Sequence, residues 1–355
     1  VLVLITPYET VHRLTENAER EAAVHMGRIA RSTLVILSVV CGVTILLAFL
    51  FSRTVTKPLK RLSEGAQRLA AGDFDARVHE GSRDEFGQLA HVFNQVGPEL
   101  KAHYDLRRSL DLAREVQQNL LPNTQPRVVG LDVHGESRYC DQTGGDYFDY
   151  LVVGPPEAPR LLVIVGDVAG HGISSALLMA TARALIRQRL DLAGGLAEKV
   201  ADVNAFLCRD VGDSGQFMTL FVAEICPNGG ELTWVRAGHE PGICYDTVED
   251  CFTLVEGRGL PLGVTGEAVY RSETLSLDEA EILLIGTDGI WETLDPQGDM
   301  FGKARLEALV RRHAHQPAQE IVTAVMDGLD AFRQGAAVVD DATLVVVKRS
   351  AESPA

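Results

Sequence analysis

The chain has 355 residues, too many for one ordinary domain, and 46% of them are hydrophobic against 23% charged, which excludes wholesale disorder. Its 33 Lys and Arg face 49 Asp and Glu, and the excess lies wholly in residues 106–355, which hold 21 basic against 37 acidic side chains. A part that acidic repels phosphate backbones, so nucleic acid is not an expected partner, and it attracts divalent cations or basic protein surfaces. The chain opens on VLVLITP, which reads as the last strand of an extracytoplasmic sensor domain. Residues 8–31 then form a helix running into a membrane. Ser32 to Ser52 are 21 residues without a charge, bracketed by Arg31 and Arg53. At ~1.5 Å per residue such a helix covers the ~30 Å hydrocarbon core. The charge-rich residues ahead of it, with no small-residue cleavage site behind, set it apart from a signal peptide. Arg53, Lys57, Lys60 and Arg61 crowd its C-terminal side, which places that side in the cytoplasm. Residues 1–31 are thus an extracytoplasmic remnant, 32–52 a single pass through the cytoplasmic (inner) membrane, and the rest is cytoplasmic.

Beyond the membrane two short helices are expected. Pro58 suits a first helical turn, and Leu59, Leu62, Ala66 and Leu69 follow at steps of three and four residues. Gly72 ends that helix, and DFDARV alternates as an extended connector with Phe74, Ala76 and Val78 on one side. Phe86, Leu89, Phe93, Val96 and Leu100 resume the helical steps. Two such helices cannot bury their seams alone, so a parallel bundle from two chains, a homodimer, is expected. Pro58, Gly72-Asp73-Phe74 and Asp84-Glu85-Phe86-Gly87 make residues 53–104 resemble a HAMP signalling domain. Residues 105–122 (DLRRSLDLAREVQQNLLP) form a further amphipathic helix with Leu106, Leu110, Ala113, Val116 and Leu120 on one face, stopped by Pro122. Its position between the bundle and the next domain makes it a candidate lever.

From residue 123 to 350 the pattern is strand-rich. FMTLFVAEIC, PNGG and ELTWVRAG read as a hairpin with Asn228-Gly229 in the turn, and GICY with CFTLV as a second pair. Helical runs fall at about 174–190, 196–210, 304–313 and 318–333. Adjacent hairpins favour antiparallel sheets with helices outside, an α+β fold. The chemistry lies in where the aspartates fall. LLVIV runs into Gly166-Asp167-Val168-Ala169-Gly170-His171-Gly172, and ILLI into Gly286-Thr287-Asp288-Gly289. Asp340-Asp341 precede ATLVVV, and Gly144-Gly145-Asp146-Tyr147-Phe148-Asp149 precede YLVV. Four apolar strands thus carry a carboxylate at one terminus, three beside glycines that let the backbone approach a ligand. Carboxylates massed at one place repel one another unless a cation lies between them, and hard oxygen donors select Mg²⁺ or Mn²⁺ over zinc. Taken singly, Asp167 or Asp288 would pass as a helix cap.

EVQQNLLP, GGDYFD, GDVAGHG, AGHEPG, GLPLGV, GTDGIWE and DDATLVVV, in that order over about 113–348, resemble the SpoIIE/RsbU branch of metal-dependent Ser/Thr protein phosphatases (the PPM family). The resemblance implies an antiparallel β-sandwich flanked by helices with two Mn²⁺ or Mg²⁺ ions, which activate a water for attack on phosphorus. By position Asp167 would bridge both metals, Asp146 and the carbonyl of Val168 would hold one, and Asp288 and Asp340 the other. These four aspartates are the implied catalytic set. Asp341 is the alternative to Asp340 for direct contact, Asp149 a candidate partner of bound water, and His171 a candidate proton donor. The implied substrate is a phosphoserine or phosphothreonine on a regulatory protein, typically a STAS-type anti-sigma-factor antagonist. The lever helix would act by moving Glu115, Gln117, Gln118 and Leu120 against the metal site.

Other classes remain open at this level. GGDYF echoes the GGDEF signature of diguanylate-type nucleotidyl cyclases, but a second acid is needed where this chain has Tyr147. An inactive pseudo-phosphatase scaffold would have lost metal ligands, and here each acidic position is filled. The six cysteines show no CxxC pair, and none opens a CxxxxxR nucleophile loop, against a cysteine phosphatase.

Overall fold

The computed structural model describes residues 8–79, 81–227 and 230–349. The expected strand at VLVLITP and the Asn228-Gly229 turn lie outside the described residues. The chain divides into two compact units, Val1–Arg107 and Arg108–Ala355. In the first, α1 (Tyr8–Phe51) runs through a π-helical turn at Ser52–Thr56 into α2 (Lys57–Ala70), so membrane-length helix and bundle helix are continuous. The apolar stretch is long enough to cross a bilayer, reaches a mean hydropathy of 2.9 and is fully exposed in the fold. Gly72 takes φ 92°, beyond the reach of most side chains, and breaks the helix as its sequence position suggested. The connector then lays Val78 against Leu62 and Ala90, with Phe86 and Phe93 alongside, and buries Ala76. α3 (Glu85–Leu120) is one unbroken helix of 36 residues with Pro98 inside it, so the second bundle helix and the lever are a single element.

The second unit is a sandwich of two five-stranded sheets, each antiparallel throughout its named strands. One sheet has the order β2 (Tyr147–Val153), β3 (Arg160–Val168), β4 (Met218–Cys226), β5 (Glu231–Ala237), β8 (Glu273–Ser276). The other runs β1 (Leu131–Arg138), β10 (Ala342–Arg349), β9 (Glu281–Gly286), β6 (Gly242–Asp246), β7 (Cys251–Val255). Strand periodicity explains why the apolar runs are continuous. On β3, Leu161, Val163 and Val165 face the other sheet, while Leu162, Ile164 and Val168 face α4 (Ile173–Leu190) and α5 (Leu196–Val211). On β10, Val345 and Val347 point between the sheets, and Leu344 and Val346 towards α6 (Gly302–His313) and α7 (Ala318–Arg333). Both faces of each sheet are covered, giving four layers with three apolar seams.

Two local expectations change. β2 begins at Tyr147 rather than after Asp149, so Asp149 lies inside the strand. On the lever, Val116 is 63% exposed while Gln117 is only 4% exposed. The face that packs carries Gln117 rather than Val116, because a buried polar partner waits there.

Candidate functional site

Inter-sheet parity gathers the acidic groups. Phe148 and Tyr150 face the sandwich interior, so Asp146, two residues before Phe148, continues that face at the rim. Asp167 follows Leu161, Val163 and Val165 in the same sense. Asp288 extends from the end of β9, and Asp340 and Asp341 stand before β10. Asp146 is fully buried and Asp341 nearly so, while Asp167 and Asp288 are partly buried and Asp340 is exposed. None of the ion pairs among the described residues supplies these five carboxylates with a lysine or arginine.

The proton affinities show the crowding. Burial, then the charges of Asp167 and Asp341, hold the Asp146 carboxyl well above the ordinary range. Asp167 is pushed up to about 8 by burial, then by Asp288, Asp340 and Asp341. Asp288 rises through burial, then Asp340 and Glu292. Asp341 also rises through burial, although backbone N–H groups oppose it. Like charges hold one another off, and among the described residues no three acidic, His or Cys side chains already close round one point.

Backbone approach completes the site. A Cβ on Gly145 would lie 2.6 Å from the Val168 carbonyl oxygen and 3.2 Å from Asp167 Oδ1, so only glycine lets the Asp146 loop close on that carbonyl. A Cβ on Gly289 would collide with the Asp341 carbonyl oxygen, so the turn that Asp288 opens is pressed onto the start of β10. The donor set facing this space is carboxylate and carbonyl oxygen, which fits a hard divalent cation such as Mg²⁺ or Mn²⁺.

The neighbouring acids divide by role. Asp341 accepts the backbone N–H of Cys140 on Oδ1 and of Gly145 on Oδ2, each at 2.8 Å, which binds the 140–146 loop to the start of β10. Asp340 Oδ1 accepts the N–H of Asp341 at 2.9 Å. Asp149 stands apart. Sharing parity with Tyr147, it faces α4, where Arg187 Nη1 donates to both its oxygens at 2.9 and 2.7 Å and Tyr147 Oη donates at 2.9 Å. His171 is also outside the group: its side chain is 70% exposed, with Nδ1 4.0 Å from Asp141.

Gln117 reaches the site by an amide clasp. Its Nε2 donates to the Gly144 carbonyl at 2.7 Å, and its Oε1 accepts the Gly144 N–H at 3.2 Å. Glu115 and Gln118 are exposed, and Leu120 is half-buried. Sequence reasoning missed three residues. Thr287 and Thr343 both touch Asp146, and His239 is buried with Nδ1 2.8 Å from Thr219 Oγ1. Burial pushes the His239 ring down to about 4. The threonines stand within GTDG and DDAT, and the parity of β9 and β10 is the signal that could have found them.

The stage II sporulation protein E (SpoIIE) family model matches residues 157–350. The chain belongs to the SpoIIE family. A HAMP domain model matches residues 50–97, where the bundle helices lie. This SpoIIE-family chain is 26% identical over 245 residues to phosphoserine phosphatase RsbU of Bacillus subtilis, covering 69% of the chain and 71% of RsbU. It is 25% identical over 375 residues to Protein IcfG of Synechocystis sp., covering 95% of the chain but 58% of IcfG. The chain therefore spans little more than half the length of that relative. Among solved structures, the SiaA-PP2C domain of Pseudomonas aeruginosa superposes with a TM-score of 0.61 at 22% identity, over 70% of this chain and 98% of that one. The fold of the second unit is thus the PP2C phosphatase fold. The cyclase alternative raised by GGDYF is set aside, since the motif opens a strand of this sandwich.

Proposed function

We propose that this SpoIIE-family chain is a membrane-anchored, signal-regulated Ser/Thr protein phosphatase that depends on two divalent cations. What carries the reading is the gathering of Asp146, Asp167, Asp288 and Asp340 at one rim, without lysine or arginine partners among the described residues, where burial and neighbouring carboxylates raise the proton affinities of Asp146, Asp167 and Asp288. Asp167 would bridge the two ions. Asp146 and the Val168 carbonyl would hold one, and Asp288 and Asp340 the other. Asp340 is favoured over Asp341 as the direct ligand, because each Asp341 oxygen already accepts a backbone N–H. When bound, such an ion pair supplies a water acidified towards neutrality and positive charge for the phosphoryl oxygens. The chain's own part is to hold the carboxylates in place. Asp341 and Gln117 fix the Asp146 loop, and Gly145 lets it approach Val168. Asp149 serves the attachment of α4 to β2 rather than bound water. His171, exposed on its loop, is free to meet a leaving group on a protein substrate.

RsbU is named a phosphoserine phosphatase, and the motif order resembles its branch. These support a phosphoserine or phosphothreonine substrate on a regulatory protein of the STAS-type anti-sigma-factor antagonist class. An acidic domain docks such a partner through basic or apolar patches. The unbroken α3, which begins in the HAMP-matching residues and ends at the Gln117 clasp, supports signal input through that helix. The test is hydrolysis of a phosphoserine peptide by the full chain in nanodiscs with Mn²⁺. Asp167→Asn should cut the rate by about 100-fold or more. A variant as active as the wild type would remove Asp167 from the bridging role, and an inert wild type would favour the scaffold reading.

A further inference from the structure

Asp146 is held from the opposite sheet by two hydroxyls. Thr287 Oγ1 donates to Asp146 Oδ2 at 2.8 Å, and Thr343 Oγ1 donates to the same oxygen at 2.5 Å. All three side chains are buried to 2% exposure or less. The surrounding bonds fix where the hydroxyl protons point. The backbone N–H of Thr343 donates to Thr287 Oγ1 at 3.0 Å. An N–H cannot accept, so the single proton of Thr287 is left for the carboxylate. Thr343 Oγ1 also lies 2.8 Å from Ser137 Oγ on β1. Thr343 has one proton as well, and of its two contacts the shorter one, 2.5 Å to Asp146 Oδ2 against 2.8 Å to Ser137, takes it.

The consequence follows from counting lone pairs. A carboxylate oxygen has two in its plane, and both on Oδ2 are taken. Only Oδ1 of Asp146 remains for a further partner. The arrangement depends on the register of two sheets: Thr287 and Thr343 continue the inward faces of β9 and β10, and Asp146 that of β2. The two threonines are tied together through Thr287 N–H donating to the Thr343 carbonyl at 3.0 Å.

We propose that Thr287 and Thr343 are positioning residues that lock Oδ2 of Asp146 and so make this carboxylate a one-oxygen ligand. The proposal rests on the cation-dependent phosphatase reading above. Without the hydroxyls the carboxylate can rotate or offer both oxygens, and the cation loses a preformed contact. A purely structural role for the hydroxyls predicts something different, lower stability at unchanged cation affinity.

The experiment titrates Mn²⁺ alone into the full chain in nanodiscs, following free Mn²⁺ by electron paramagnetic resonance. Wild type is compared with Thr287→Val, Thr343→Val, the double variant, Thr287→Ser and Thr343→Ser. Each Val variant should bind Mn²⁺ about 10- to 100-fold more weakly, and each Ser variant, keeping the hydroxyl, should return to within a few-fold of wild type. Because both hydroxyls act on one oxygen, the double variant should lose less than the product of the single losses. Val variants that bind Mn²⁺ as wild type does overturn the proposal while leaving the phosphatase reading intact. A Val variant that circular dichroism shows to be unfolded also overturns it, since its hydroxyl then serves folding. A wild type that binds no Mn²⁺ overturns the reading beneath it.

Discussion

At the scale of single residues, Asp167 and His239 pull stability in opposite directions with pH. The Asp167 carboxyl rises from 3.8 to about 8 on folding, so the folded chain without cations binds that proton more tightly than the unfolded chain. Its contribution falls as pH rises from about 4 to about 8. His239 goes the other way, from 6.5 down to about 4, so its contribution is present above 6.5 and is lost as pH falls below it. The two offset one another between about 4 and 6.5, and above that His239 no longer opposes Asp167 and its raised neighbour Asp146. In EDTA the melting temperature of the catalytic unit should therefore fall between pH 6.5 and 8, and Asp167→Asn should flatten that fall. Differential scanning calorimetry of the full chain checks it; a wild-type slope kept by the variant would show that another group sets it. Asp149 teaches the same lesson in reverse. It is as buried as Asp146, yet Arg187 and Tyr147 satisfy it, and so it has no need of a cation.

At the scale of elements, the decisive contact is the one between the C-terminal end of α3 and the Asp146 loop. Gln117 satisfies both the N–H and the C=O of Gly144, and Gly144 sits two residues from Asp146. Gln117→Ala leaves two buried backbone groups without these partners, at a cost of about 1–3 kcal/mol each. The expected outcome is a lower melting temperature and several-fold weaker Mn²⁺ binding, read in the same titration. Unchanged Mn²⁺ affinity would show that the clasp holds the helix without reaching the cation site. The neighbouring Glu115 and Gln118 are exposed, so their truncation should change neither quantity in the isolated chain.

At the scale of the whole molecule, apolar surface in the first unit is left without cover. Leu62, Phe86 and Phe93 pack within the unit, but Leu59, Leu89, Val92, Val96 and Leu100 remain between 38% and 57% exposed. Such a stripe at helical spacing is what a parallel pairing of two chains would bury. Replacing Leu89 and Val96 together by Asp should convert a dimer in nanodiscs or detergent to a monomer, measured by light scattering. A wild type that is already monomeric would end the homodimer reading.

Much of this was legible without coordinates, because the relevant signals are local. An uncharged stretch of membrane length, helical steps of three and four, strands that are apolar on both faces and acids placed at their ends all follow from near neighbours in sequence. The helices of the second unit accordingly fall within two residues of their expected positions, Ile173–Leu190 and Ala318–Arg333 among them. What the sequence left open was which acid faces which space. That depends on where β2 begins and on which sheet stands opposite. Starting the strand at Tyr147 turns Asp149 towards Arg187, and the stacking of β9 and β10 across from β2 brings Thr287 and Thr343 onto Asp146. Side-chain direction alternates with every residue of a strand, so a shift of one position reverses the assignment, and only the packed sandwich fixes it.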